Sequence, residues 1–334
     1  MKRSWLFLCV CIAAMMAIAA YIAATRLPPS MNPVNPAGSD SGVQLISSIP
    51  DGPLMLFRNA SPGAFYGRVG VARLPLEDRP RMITPISCDR VHYASGRGIC
   101  MVADEARLPV RYFAYVFDQS FREQQRVPLS GPPIRARVAP GGRRAALTVF
   151  ESGHSYADRA FSTRTIVIDT GSGRTIADLE DLSVMKNGLA FKAVDFNFWG
   201  VTFAADGDEF YATLKTGDAR YLVKGSIDAR RMDVMRGEVE CPSLAPGGRL
   251  IVFKKPLDRG VGWRLTALDL ASGAERPLKQ SQRSIDDQVD WFDADHVVYH
   301  DSSPEGMGVW VLSTDGVTPS RLVLRQASSP AVER

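Results

Sequence analysis

The chain has 334 residues, 45% hydrophobic and 23% charged, with a formal net charge of +4. That is ordinary globular composition with ample apolar surface for a core, and too long for one ~150-residue domain unless that domain is a large all-β type. Residues 1–26 hold three bases (Lys2, Arg3, Arg26) and no acid, so the remainder is close to neutral and lacks the basic face of a nucleic-acid-binding protein.

Met1-Lys2-Arg3 is basic, and Ser4 to Ala24 then runs without a charge. The pattern directs the N-terminus to the cytoplasm and the rest of the chain across a membrane. A spanning helix needs about 20 apolar residues and a signal-peptide core roughly 7–15. The run is long enough for an uncleaved anchor, yet Ala17-Ile18-Ala19 would serve as a cleavage site. Residues 1–26 are therefore expected to be a hydrophobic helix, either a membrane anchor or a signal peptide. Residues 27–42 carry Pro28, Pro29, Pro33 and Pro36 among Ser, Asn and Gly. Such a stretch cannot bury a core and reads as a semi-extended tether.

A turn phrase then recurs. Ala139-Pro140-Gly141-Gly142-Arg143 precedes the β-forming run Ala145–Phe150, and Ala245-Pro246-Gly247-Gly248-Arg249 precedes Leu250–Phe253. Related turns precede strand-forming runs at Asp51, Gly96, Asp206 and Asp293. The intervals along the six turns are 45, 44, 66, 40 and 47 residues, and a period near 40–45 points to propeller blades. A second phrase keeps step, a strand ending in Asp and Gly, as in Ile166-Val167-Ile168-Asp169-Thr170-Gly171-Ser172-Gly173. Asp bonds the local backbone there and Gly takes positive φ. Each unit reads as four antiparallel strands, and six units make an all-β, six-bladed β-propeller over residues 43–326. Residues 327–334 are expected to be a disordered tail.

The Pro/Asp-Gly-polar-Arg phrase with the later Asp-x-x-Ser-Gly turn resembles the repeat of TolB-like β-propellers, through short motifs across roughly residues 45–325. The resemblance implies an exported propeller. TolB itself carries an α/β domain before its propeller. Here only the short tether separates residues 1–26 from the first blade, so TolB's partner contacts are not carried over.

Cys88 and Cys100 fall on the two limbs of one hairpin. Paired antiparallel strands can bring them within disulfide range, and an exported chain would oxidise them. Cys241 reads as a small core residue. His296 and His300 have the spacing of a helical zinc pair but sit in a strand, where i and i+4 lie about 13 Å apart at ~3.3 Å per residue, so no metal site is expected. Of the acidic group Asp286, Asp287, Asp290, Asp293 and Asp295, most read as turn caps or a solvated edge. No Gly-x-Ser-x-Gly elbow, P-loop, dinucleotide glycine pattern or Cys-x-x-Cys is present, and no cofactor is expected.

The first strand of each blade lines the central channel. Candidate channel residues are Arg90, His92, Arg135, Arg137, Asp195, Asn197, Glu240, Asp287 and Asp290. The long interval places extra loops around Glu151–Phe161 and Glu180–Phe191, a further surface for a partner. The expectation is a non-catalytic, monomeric propeller binding an envelope protein or glycan, anchored through its N-terminal helix, or secreted or periplasmic if that segment is cleaved. The alternative is a hydrolase or lactonase-type enzyme with a metal in the channel.

Overall fold

The structure is a computed structural model; it describes residues 15, 43–76, 81–106, 108–151, 162–257, 262–281, 284–303 and 306–334. The expected N-terminal helix and tether lie outside the described residues, apart from Met15. Among the described residues no helix is long and apolar enough to cross a membrane.

Residues 43–334 form one compact unit of six sheets, antiparallel except where β1 and β13 add at the outer edges of two of them. In the first blade β1 (Val43–Leu45) lies outermost, pairing in parallel with β4 (Arg81–Ser87), followed inward by β3 (Arg68–Arg73) and β2 (Leu54–Asn59). The second blade runs outward as β5 (Arg90–Ala94), β6 (Arg97–Asp104), β7 (Arg111–Phe117) and β8 (Glu123–Leu129). The third is β9 (Pro133–Val138), β10 (Arg144–Phe150), β11 (Thr163–Asp169) and β12 (Thr175–Asp178). The fourth adds a hairpin, β13 (Ser183–Lys186) and β14 (Leu189–Ala190), outside β15 (Asn197–Phe203), β16 (Glu209–Thr216), β17 (Ala219–Ser226) and β18 (Arg231–Gly237). The fifth is β19 (Glu240–Leu244), β20 (Leu250–Pro256), β21 (Trp263–Asp269) and β22 (Glu275–Pro277). The sixth is β23 (Asp290–Trp291), β24 (His296–Ser303), β25 (Gly306–Ser313) and β26 (Arg321–Arg325).

The last strand, β27 (Ala327–Glu333), corrects the expected disordered tail. It is the innermost strand of the first blade, antiparallel to β2 from Asn59↔Ala327 to Leu54↔Glu333. The two ends of the domain thus share one sheet and close the ring, which removes the edges an open sheet would expose. Arg81 reinforces that seam. Its guanidinium donates to the Asn59 amide oxygen and the Ser61 hydroxyl (3.0 Å each) and to the backbone carbonyls of Arg325 and Gln326.

Apart from the one at Asp51, the recurrent turns join the first and second strands of their blades. In the two Ala-Pro-Gly-Gly turns the second glycine, Gly142 or Gly248, takes φ near +70° and donates its N–H to the alanine carbonyl at 2.8 Å, which other residues adopt only with strain. Asp118, Asp169, Asp269 and Asp315 cap the outer turns by accepting backbone N–H bonds two or three residues on. Three cross-strand pairs place a glycine under a phenylalanine ring: Phe57↔Gly70, Gly98↔Phe117 and Phe210↔Gly225. A Cβ on those glycines would lie 2.4, 2.0 and 2.4 Å from a ring carbon. The rings fill the seams between blades, where the core sits.

Of the two extra loops expected from the long interval, the one near Glu180–Phe191 is the β13–β14 hairpin, whose β13 pairs in parallel with β18. Residues 152–161 lie outside the described residues. Cys88 and Cys100 form the expected disulfide, with Cα atoms 5.3 Å apart.

Candidate functional site

Five of the six inner strands run five to seven residues; β23 has only two. The missing length is Asp287-Gln288-Val289, which leaves the sheet and crosses the channel. All three are buried, as is Asp290. Asp287 pairs with Arg135 of the third blade at 2.7 Å and accepts the His300 Nδ1–H and backbone N–H at 2.7 and 3.0 Å. Gln288 Nε2 donates to Pro242 O of the fifth blade (2.9 Å) and Val201 O of the fourth (3.2 Å). Arg137 donates to Val289 O (2.9 Å) and Asp290 Oδ1 (2.6 Å). Asp290 Oδ2 accepts the Val332 N–H of the first blade (2.8 Å) and lies 3.7 Å from His92 Nε2 of the second. Four consecutive residues of the sixth blade therefore bond to the first, third, fourth and fifth blades and lie beside His92 of the second.

The ladder is interrupted to receive this plug. Gly200-Val201, Cys241-Pro242 and Ser329-Pro330 drop out of the pairing of β15, β19 and β27, with Gly200, Cys241 and Ser329 at φ +66°, +49° and +50°. Such bulges leave backbone groups unpaired, and the carbonyls of Val201 and Pro242 are the two that Gln288 takes. Gly200 is required there, because a Cβ would meet Cys241 Cα at 2.7 Å. Cys241 is buried, as expected, and burial pushes its thiol up to about 11.

The plug carries charge without leaving it bare. Burial alone would raise the Asp287 carboxyl, but His300 and Arg135 outweigh it and hold it below the usual range. Burial also opposes ionisation of Asp290, and Arg137 prevails. His92 is held neutral, down to about 3, by burial and by Arg137, against the pull of Asp290. Val138 N–H donates to its Nδ1 at 3.2 Å and the Arg137 guanidinium stands 3.1 Å from its Nε2, so donors face both ring nitrogens and the doubly protonated ring is disfavoured.

On one side of the plug, at the end of the recurrent turns, opens a basin of about 650 Å3 lined by residues from all six blades. Its floor is His92, Arg137, Asp290 and Trp291. Phe203, Tyr211, Leu244 and Val332 form apolar wall, and Asp206, Glu209, Lys224 and Glu333 stand around it. Lys224 pairs with Glu209 at 2.8 Å. On the other side a recess of about 30 Å3 lies between Arg90, Arg135, Asp287, Gln288 and Ser329.

Six of the nine channel candidates thus line these cavities: Arg90, His92, Arg135, Arg137, Asp287 and Asp290. Three do not. Asp195 is exposed and caps the β16–β17 turn, accepting from the Thr216 hydroxyl and Gly217 N–H at 2.6 Å each. Asn197 accepts the Thr163 N–H at 2.8 Å and staples the fourth blade to the third. Glu240 is buried between Arg220 (2.8 Å) and Lys254 (3.0 Å), both against the Trp263 ring. Asp293 caps its turn and binds His296, so His296 and His300 serve different acids. Among the described residues no three His, Cys, Asp or Glu side chains converge as metal ligands would.

Sequence reasoning missed Gln288, Trp291 and the apolar wall. The wall was signalled by the Ala-Pro-Gly-Gly turns, whose small residues draw the surface back and leave the basin open.

No protein-family model and no curated protein matches the sequence. Solved structures do. The chain aligns with TolB from Acinetobacter baumannii at a TM-score of 0.59 and 15% identity, over 86% of this chain and 68% of that one. It aligns with a chain of a nidogen/laminin complex at 0.52 and 12% identity, over 84% and 98%. At these identities the likeness is one of fold: the chain is a TolB-like six-bladed β-propeller.

Proposed function

We propose that this propeller is a non-catalytic interaction module outside the cytoplasm, which receives a segment of a partner protein in the basin. The observation that carries the reading is the basin itself: concave, walled by every blade, part apolar, and floored by a buried, hydrogen-bonded polar layer. Such a cup offers a preformed surface without a conformational cost on binding. The Cys88–Cys100 disulfide suits an oxidising compartment. Residues 1–26 would carry the propeller across the membrane, and hold it there if uncleaved. The two comparison propellers include one from a protein–protein complex.

The channel enzyme alternative is less well supported. Its acid or metal-binding groups would be Asp287 and Asp290, and both are already neutralised by arginines.

A photo-crosslinking residue in place of Ala205, at the basin, is to be compared with one at Val317, an exposed site outside it. The full chain in its own cells should give a discrete protein adduct from position 205 and none from 317. Equal labelling at both, or none at 205, overturns the reading.

A further inference from the structure

The opposite face carries a second feature that the basin does not use. Residues 60–67 link β2 to β3, and Glu105, Ala106 and Leu108 to Val110 lie between β6 and β7. The two connections belong to neighbouring blades and open on the face away from the basin. They hold Tyr66 and Leu108, 58% and 93% exposed. The first is firmly built. Gly67 N–H donates to Asn59 O (2.8 Å), Tyr66 N–H to Gly63 O (3.1 Å), and Cys88 N–H, beside the disulfide, to Gly67 O (3.2 Å).

This loop orders two guanidinium groups. Arg58 Cζ stands 4.8 Å from the Tyr66 ring centre, and Arg68 Cζ stands 5.6 Å from that of Phe65. Stacking fixes a guanidinium plane and leaves its N–H edge free for a carboxylate. Neither arginine forms an ion pair with a carboxylate among the described residues. The neighbouring Arg81 is likewise held by neutral groups, and burial lowers its pKa with no acid to offset it. Arg126, Arg135, Arg137, Arg144, Arg164 and Arg249, by contrast, each have an acid. Ordered, uncompensated arginines beside exposed apolar side chains match the Arg- and Tyr-rich composition of binding hot spots.

We propose that this rim is a second docking surface, which takes an acidic segment of a partner protein. Carboxylates would pair with Arg58 and Arg68, and an apolar side chain would lie against Tyr66. The basin and the rim open on opposite faces, so the two can be occupied together.

The test selects short random peptides displayed on phage against the full chain held in nanodiscs of neutral lipid. Acidic sequences containing an apolar residue should be enriched. Their binding should weaken about tenfold or more in Arg58→Glu/Arg68→Glu, and return when the peptide's acids are changed to lysine. Arg58→Gln/Arg68→Gln should fall between. An unchanged melting temperature in both variants assigns the loss to the surface. Peptides without an acidic consensus, or binding indifferent to the charge reversal, overturn the proposal. So does arginine-dependent capture of vesicles rich in phosphatidylglycerol, which would make the rim a membrane-contact surface instead.

Discussion

The two ends of the channel are built from the same six strands, yet one opens into about 650 Å3 and the other into about 30 Å3. At the wide end five of the six inner strands run into a tight turn, two of them Ala-Pro-Gly-Gly. Small residues retract the wall there. At the narrow end Arg90 and Arg135 reach inward, and the Asp287–Asp290 segment fills the axis. Side-chain size and one displaced strand decide which end can receive a ligand. Predictions that separate the two ends test the reading directly.

The largest effect is expected from Asp287→Ala. It leaves the largely buried Arg135 guanidinium without the Asp287 carboxylate and removes the His300 acceptor. Loss of one partner from a buried pair costs about 3–5 kcal/mol. Urea unfolding at neutral pH reads it. A loss under about 1 kcal/mol would mean that the plug does not tie the third blade to the sixth. Next comes the disulfide. It joins residues separated by 12 in sequence, and its removal as Cys88→Ala/Cys100→Ala should cost about 3 kcal/mol in the chain-entropy model. Because Cys88 supports the narrow-end rim rather than the basin, adduct formation at position 205 should survive.

Acid should act through the floor. The folded His92 ring resists protonation down to about 3, whereas the unfolded ring takes a proton near 6.5. Below about 6.5 the unfolded state therefore binds more protons, and stability falls as pH falls. From pH 6.5 to 5 the loss is about 2 kcal/mol, at roughly 1.4 kcal/mol per unit. The depressed carboxyls Asp287 and Asp290 act lower: their stabilisation is full above about 4 and is lost as pH drops further. Denaturant midpoints at pH 7, 6 and 5 measure the first window. In His92→Asn the slope there should flatten, and an unchanged slope would place the titration elsewhere.

Much of the architecture was legible because the turns need particular residues. Positive φ calls for glycine and a turn cap calls for aspartate, so six blades could be counted from Asp51, Gly96, Pro140, Asp206, Pro246 and Asp293. The closing strand was not. Ala327–Glu333 has little apolar alternation, and its partner strand is distant in sequence. The available signal was an absence at the other end: the Asp51 turn has no inner strand before it. The channel was legible in part. A two-residue period places Arg135 and Arg137 on one face of β9, but polarity alone does not distinguish a channel residue from a staple such as Asn197 or a cap such as Asp195. Gln288 carried no sequence signal, since its role depends on carbonyls released by bulges in two other blades.

The smallest effect on stability should accompany the largest effect on binding. Ala205 is exposed at the basin's edge, so Ala205→Trp should change unfolding free energy by no more than about 0.5 kcal/mol. The indole would still occupy space that a partner segment needs. Partner capture from a second basin position, such as a crosslinker at Gly247, should then fall to background while capture through the Arg58–Arg68 rim persists. If Ala205→Trp leaves basin capture intact, the wide end is open without being used, and the contrast between the two ends is one of packing alone.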